Sequence, residues 1–208
     1  MKNIFVFYKR LLYANRFWIF AVASLAVIWT VAGFLLSVAF PQVFLLFFAR
    51  LSDTFDMILG GVEPGANLEF TRVLFVQNFL ASFYSLFLGA LLGLVPVLSV
   101  AVNFFALGFL AGPFAFPLRF TNTADVSLIT FITAILPHGV FEIPALLLAA
   151  AFGLRLGWSW LLPGAAGRRR AVFKQAAGDA LKLLPLVFLL LLVAAFMEAY
   201  VTGRIVGY

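Results

Sequence analysis

The chain has 208 residues, 65% of them hydrophobic and only 11% charged, with a net charge of +6. A soluble domain carries roughly 25% charged residues, so this much apolar surface exceeds what one water-soluble core can bury, and the class is a polytopic membrane protein. The absence of cysteine excludes disulfides, zinc–thiolate centres and iron–sulfur clusters, and the basic residues flank apolar runs in a way that suits anionic lipid head groups rather than nucleic acid.

In chain order, residues 1–16 hold Lys2, Lys9, Arg10 and Arg16, and an apolar run follows to Phe40. That run is longer than the roughly 7–15 apolar residues of a signal peptide and near the ~20 needed to cross a bilayer. It reads as an uncleaved first span, 17–40. Phe44, Phe47, Phe48, Leu51, Phe55 and Ile58 then recur at helical spacing, with Arg50, Ser52, Asp53 and Asp56 largely opposite. This predicts an interfacial amphipathic helix over 42–59, ended by Gly60-Gly61 and Glu63-Pro64-Gly65.

The second span is predicted at 73–95 and the third at 101–118, the latter carrying Pro113 and Pro117. An uncharged turn is expected between them, near Pro96 to Ser99, with a re-entrant hairpin as the alternative. The fourth span covers 128–152. A basic interfacial helix, 165–182, follows with Arg168, Arg169, Arg170, Lys174 and Lys182. The fifth span, 183–201, contains Pro185 and Glu198, the glutamate being expected in water near the outer interface. The fold class is therefore all-α, a polytopic transmembrane helical bundle of about five spans in a single membrane domain, 1–208. Ten of the fourteen Lys/Arg residues fall on the N-terminal side of such a bundle. The positive-inside rule then predicts a multi-pass cell-membrane protein with a cytoplasmic N-terminus and an outer C-terminus.

The stretch Pro137–Gly157, PHGVFEIPALLLAAAFGLRLG, holds the single histidine, His138, and Glu142 four residues on, with Pro137 and Pro144 beside them as expected kinks. His138, Glu142, Ala145, Ala149 and Gly153 share one helical face. Asn78, Ser82, Ser85, Gly89 and Gly93 form a similar face on the second span. Small residues let helices approach closely, so the two faces are expected to meet. An ionised acid at mid-span costs roughly 2.5–3.5 kcal/mol, against about −4 to −8 kcal/mol from the apolar residues of the same span. A protonated Glu142 bonded to His138 or Asn78 is the economical state. Asn78, Asn103, His138 and Glu142 form the candidate intramembrane polar site.

Catalytic zinc usually takes three protein ligands, and the sequence places only His138 and Glu142 together. No metal site, no cofactor and no catalytic residue is expected. No signature surrounds any serine, and Gly60-Gly61 and Gly164–Gly167 lack a phosphate-cradling motif.

The segment PHGVFEIPA, followed by an apolar small-residue stretch and GLRLG, resembles the most distinctive segment of the stage II sporulation protein M family. Asn78, Gly89 and Gly93 are similar in placement, while Phe104 follows Asn103 where that family commonly has glycine. The resemblance implies an all-helical membrane protein without assigned enzyme activity. In spore formers the namesake works with peptidoglycan-degrading partners, in the manner of a membrane anchor or scaffold. Two functions follow as expectations. One is a non-enzymatic membrane scaffold that binds membrane protein partners. The other is a transporter, channel or lipid-translocating protein, working as a homodimer, with its polar site around His138 and Glu142.

Overall fold

The structure is a computed structural model that describes residues 2–44, 46, 62, 65, 67–117, 120 and 128–202. The predicted interfacial helix at 42–59 lies almost wholly outside them. The described residues form α1 (Lys2–Ala14), α2 (Arg16–Ala39), α3 (Leu68–Phe87), α4 (Leu94–Ala115), α5 (Leu128–Trp158) and α6 (Arg169–Met197). A 3-10 turn, Leu88–Ala90, extends α3, and a π-helical turn, Glu198–Thr202, extends α6. Five of these helices are long and apolar enough to cross a membrane, with mean hydropathy between 1.6 and 2.6 over their most apolar stretches.

Helix boundaries follow local chemistry, and three differ from the sequence reading. The α3–α4 turn falls at 91–93, not at Pro96–Ser99. Leu92 and Gly93 take φ of 55° and 66° there, and glycine adopts that left-handed region without steric cost. Pro96 instead sits in the first turn of α4, where a proline's missing N–H removes no intrahelical bond. The residues expected as a turn or re-entrant loop are thus the start of a long helix. Second, α3 begins at Leu68, capped by Asn67, whose side chain accepts from the Phe70 N–H at 2.7 Å. Third, the basic stretch 169–182 and the apolar stretch after it form one continuous helix through Pro185. Nothing between Lys182 and Leu183 breaks a helix, and long basic side chains can reach an interface from a helix end.

α5 is the central element, packed against α2, α3, α4 and α6. Its run from Ala149 to Phe152 is buried, together with Ala145, against Leu86, Val100, Ala180, Leu183 and Leu191. Pro137 and Pro144 both lie inside this one helix. The small-residue faces of α3 and α5 meet along their C-terminal halves. A Cβ on Gly89 would strike the backbone of Gly153, and one on Gly157 would strike Gly89 and Gly93. A second close approach, absent from the sequence reading, joins α2 and α4: Gly33 lies on the Phe105 carbonyl and Gly108 on the Thr30 carbonyl.

Candidate intramembrane site

The polar groups of α5 sort to two ends. Toward its N-terminal half stand His138 and Glu142, one helical turn apart and on one face. The π-helical turn at the end of α6 brings Glu198 beside them. One ligand-type atom from each of His138, Glu142 and Glu198 lies within 4.8 Å of the others. Glu198, expected in water near the outer interface, is instead partly buried beside His138 and Glu142. α6 runs back antiparallel to α5, so its last turn lies level with the His138 turn. The antiparallel return, not the sequence around Glu198, decides its neighbours.

His138 Nδ1 is hydrogen-bonded to Thr202 Oγ1 at 3.1 Å. Thr202 is buried. This bond orients the imidazole and leaves Nε2 unengaged by it. None of the hydrogen bonds or ion pairs among the described residues reaches Glu142 or Glu198. A cavity of about 170 Å³ opens beside the cluster, lined by Asn103, His138 and Glu142 with Phe104, Leu107, Ile135, Gly139, Ile143 and Leu146. Three of the four residues expected to form a polar site thus line one cavity.

The fourth, Asn78, is half-buried on α3 and is not on that lining. The expected bond from Glu142 to His138 or Asn78 is not among the hydrogen bonds of the described residues, and His138 is bonded to Thr202 instead. Asn103 is exposed and donates from Nδ2 to the Ser99 carbonyl at 2.8 Å, which leaves its side-chain oxygen unengaged by that bond. Phe104, in place of a glycine, is buried and fills part of the cavity wall.

Two carboxylates beside one imidazole in an apolar span form an acceptor-rich group that attracts positive charge. Protons, a divalent metal or an ammonium group each satisfy it. One nitrogen and two carboxylate oxygens are a donor set that suits zinc, manganese or iron. The sequence offered no third ligand because Glu198 belongs to another helix.

The other end of α5 carries Arg155. Its Nη1 donates to Asp179 Oδ2 at 2.7 Å and to Asn15 Oδ1 at 2.6 Å. Asn15 is fully buried at the α1–α2 junction and donates from Nδ2 to the Leu11 carbonyl at 2.8 Å. Lys182 approaches the second Asp179 oxygen at 3.2 Å. Sequence reasoning placed Arg155 among interfacial basic residues and did not single out Asn15 or Asp179. An Asp three residues before Lys182, the one acid in an otherwise basic stretch, was the available signal.

With this geometry in view, the model of the family described as "Stage II sporulation protein M" matches residues 17–203. The chain belongs to the stage II sporulation protein M family. Among curated relatives, uncharacterized protein MJ0793 of Methanocaldococcus jannaschii is 30% identical over 159 residues, covering 76% of this chain and 85% of that protein. Uncharacterized protein MJ0706 of the same organism is 31% identical over 121 residues, covering 57% of this chain and 50% of that protein. No solved structure matches. The matched stretch takes in every residue of the His138 cluster and leaves α1 with Asn15 outside. Membership and the five apolar helices make this a multi-pass membrane protein of that family.

Proposed function

We propose that the protein is a non-enzymatic transport protein that passes a positively charged or protonatable group through the membrane at the His138–Glu142–Glu198 cluster. The observation that carries this reading is the convergence of three ionisable side chains from two helices within the spanning region, two of which, His138 and Glu142, line a cavity. Ionisable groups in a span are costly, and they mark ion and substrate paths in membrane proteins. The scaffold reading drew on the absence of a catalytic constellation, the small-residue seams and the family resemblance. Gly89, Gly153 and Gly157 of those seams are engaged inside the chain, which removes the seams as support for it. Five candidate spans are few for alternating access by one copy, so the reading takes a homodimer as its assembly. It also takes the basic end, with Arg155 and Arg168–Arg170, as cytoplasmic.

The test is flux into proteoliposomes of protons, potassium, Mn²⁺ and labelled lipids. Wild-type protein should move at least one of these, and Glu142→Gln and Glu198→Gln should each reduce it at least tenfold while remaining folded by circular dichroism. Absence of flux across the whole panel overturns the proposal, as does flux that neither substitution changes. Reproducible copurification of one membrane partner in mild detergent, together with absence of flux, would return the scaffold reading.

A further inference from the structure

A second cavity, of about 470 Å³, flanks the first and reaches α2 through Thr30. Its wall is apolar apart from that threonine, whose hydroxyl is already bonded to the Ala26 carbonyl at 2.9 Å. Leu107, Ile135, Gly139 and Ile143 line both cavities, so a polar chamber and an apolar groove share one wall.

We infer that the ligand of this site is an amphiphile: its primary-amine head group sits against His138, Glu142 and Glu198, and its hydrocarbon chain lies in the adjoining groove. The inference rests on the transport reading and names its substrate class.

Size supports it. Ligand pockets are typically about 300–1,000 Å³, so a polar chamber of about 170 Å³ suits a head group, and the groove is large enough for a chain. Charge supports it as well. Neither lining includes a lysine or arginine, so a phosphate or carboxylate head group would meet the Glu142 carboxylate, with Glu198 close behind it, and no cation to pair. An ammonium brings three N–H donors. Glu142 on the lining and Glu198 beside it offer carboxylate acceptors, and His138 Nε2 adds a third in the tautomer whose proton is on Nδ1. Asn103, at the chamber's rim, can accept through its side-chain oxygen from a donor next to the amine.

Gly139 stands on the shared wall. A Cβ there would meet Ile135 Cγ2 at 3.1 Å and Ile143 Cδ1 at 3.6 Å, both ends of flexible side chains. Alanine therefore fits with a small shift, whereas leucine would project into the space that head group and chain share. Ala111 lines only the apolar groove, so enlarging it blocks the chain and leaves the acceptors untouched.

The experiment uses the full chain in proteoliposomes with three fluorescent probes: a long-chain primary amine, its uncharged N-acetyl analogue, and phosphatidylglycerol. Binding and transbilayer movement are read together. The amine should be preferred over both comparators by at least tenfold. Glu142→Gln should abolish that preference. Gly139→Leu and Ala111→Phe should each lower amine binding at least tenfold. Equal treatment of the amine and its analogue, beside a Glu142-dependent proton or Mn²⁺ flux, overturns this inference and leaves the transport reading standing. An amine preference that survives both Gly139→Leu and Ala111→Phe removes the groove from the site. If no probe or ion binds or moves in a Glu142-dependent way, both proposals fall together.

Discussion

The two ends of α5 carry polar clusters of similar size and opposite character. At one end Arg155 is paired with Asp179, bonded to Asn15 and flanked by Lys182. In its N-terminal half two carboxylates and one imidazole cluster beside a cavity that His138 and Glu142 line, and the side-chain hydrogen bond found there joins His138 to Thr202. Glu142 and Arg155 are thirteen residues apart, or about 20 Å along an α-helix, too far for one cluster to neutralise the other. In the Arg155 cluster the one acid is paired with cations, and Arg155 Nη1 bonds both Asp179 and Asn15 within the chain. Such a group locks helices in place. The Glu142 cluster has acceptors left over, and a group of that kind is completed by something that binds. The comparison separates a structural polar cluster from a functional one by their unspent hydrogen-bonding capacity, where the presence of charge alone does not.

The largest effect on stability should come from breaking the lock. Arg155→Ala leaves Asp179 buried beside only a partly exposed Lys182, and removing one member of a buried ion pair costs about 3–5 kcal/mol. Thermal unfolding in detergent should show this as a large drop in Tm, and the double substitution Arg155→Met with Asp179→Leu should recover most of it. A single substitution without effect would erase the distinction between the two ends. Next in size is Gly153→Leu, which forces α3 and α5 apart at a backbone contact. Overpacking of this kind costs about 1–3 kcal/mol, read in the same melting assay. Asn15→Ala should follow at about 1–3 kcal/mol for the loss of its buried partners. Limited proteolysis should show it as release of α1, with the other helices retained.

The smallest effect on stability, and the largest on activity, is expected at the opposite cluster. Glu142→Gln removes the ionisable group while keeping the side chain's shape, so stability should stay within about 0.5 kcal/mol of wild type in the melting assay, the usual range for a substitution that breaks no partnership. Its flux should fall at least tenfold. A mild flux phenotype would instead make Glu142 a neutral hydrogen-bonding residue, and the site would lose its functional reading.

Much of this was legible in the sequence. Composition and the lengths of the apolar runs determined a multi-pass helical membrane protein, because a bilayer fixes both the length and the hydrophobicity of each crossing. The segment Pro137–Gly157 was recognisable as the most distinctive part of the chain. It became α5, the element on which four other helices pack. The spacing of small residues on the second and fourth spans anticipated the contact at Gly89 and Gly153, since helical periodicity alone puts them on one face.

What the sequence could not supply was every partnership between residues on different helices. Glu198 reads locally as an acid near the end of a span, and only the antiparallel return of α6 sets it beside His138 and Glu142. Arg155 reads as one more interfacial cation, and only the approach of Asn15 and Asp179 makes it a buried anchor. Asn78 shows the converse, a polar residue on the expected face whose helix packs closely only farther along, at Gly89 and Gly93. Periodicity determines which side chains share a face of one helix. The rotation and height at which two helices meet are set by packing across the whole bundle, and the tertiary structure alone decided which polar groups were spent and which were left to bind.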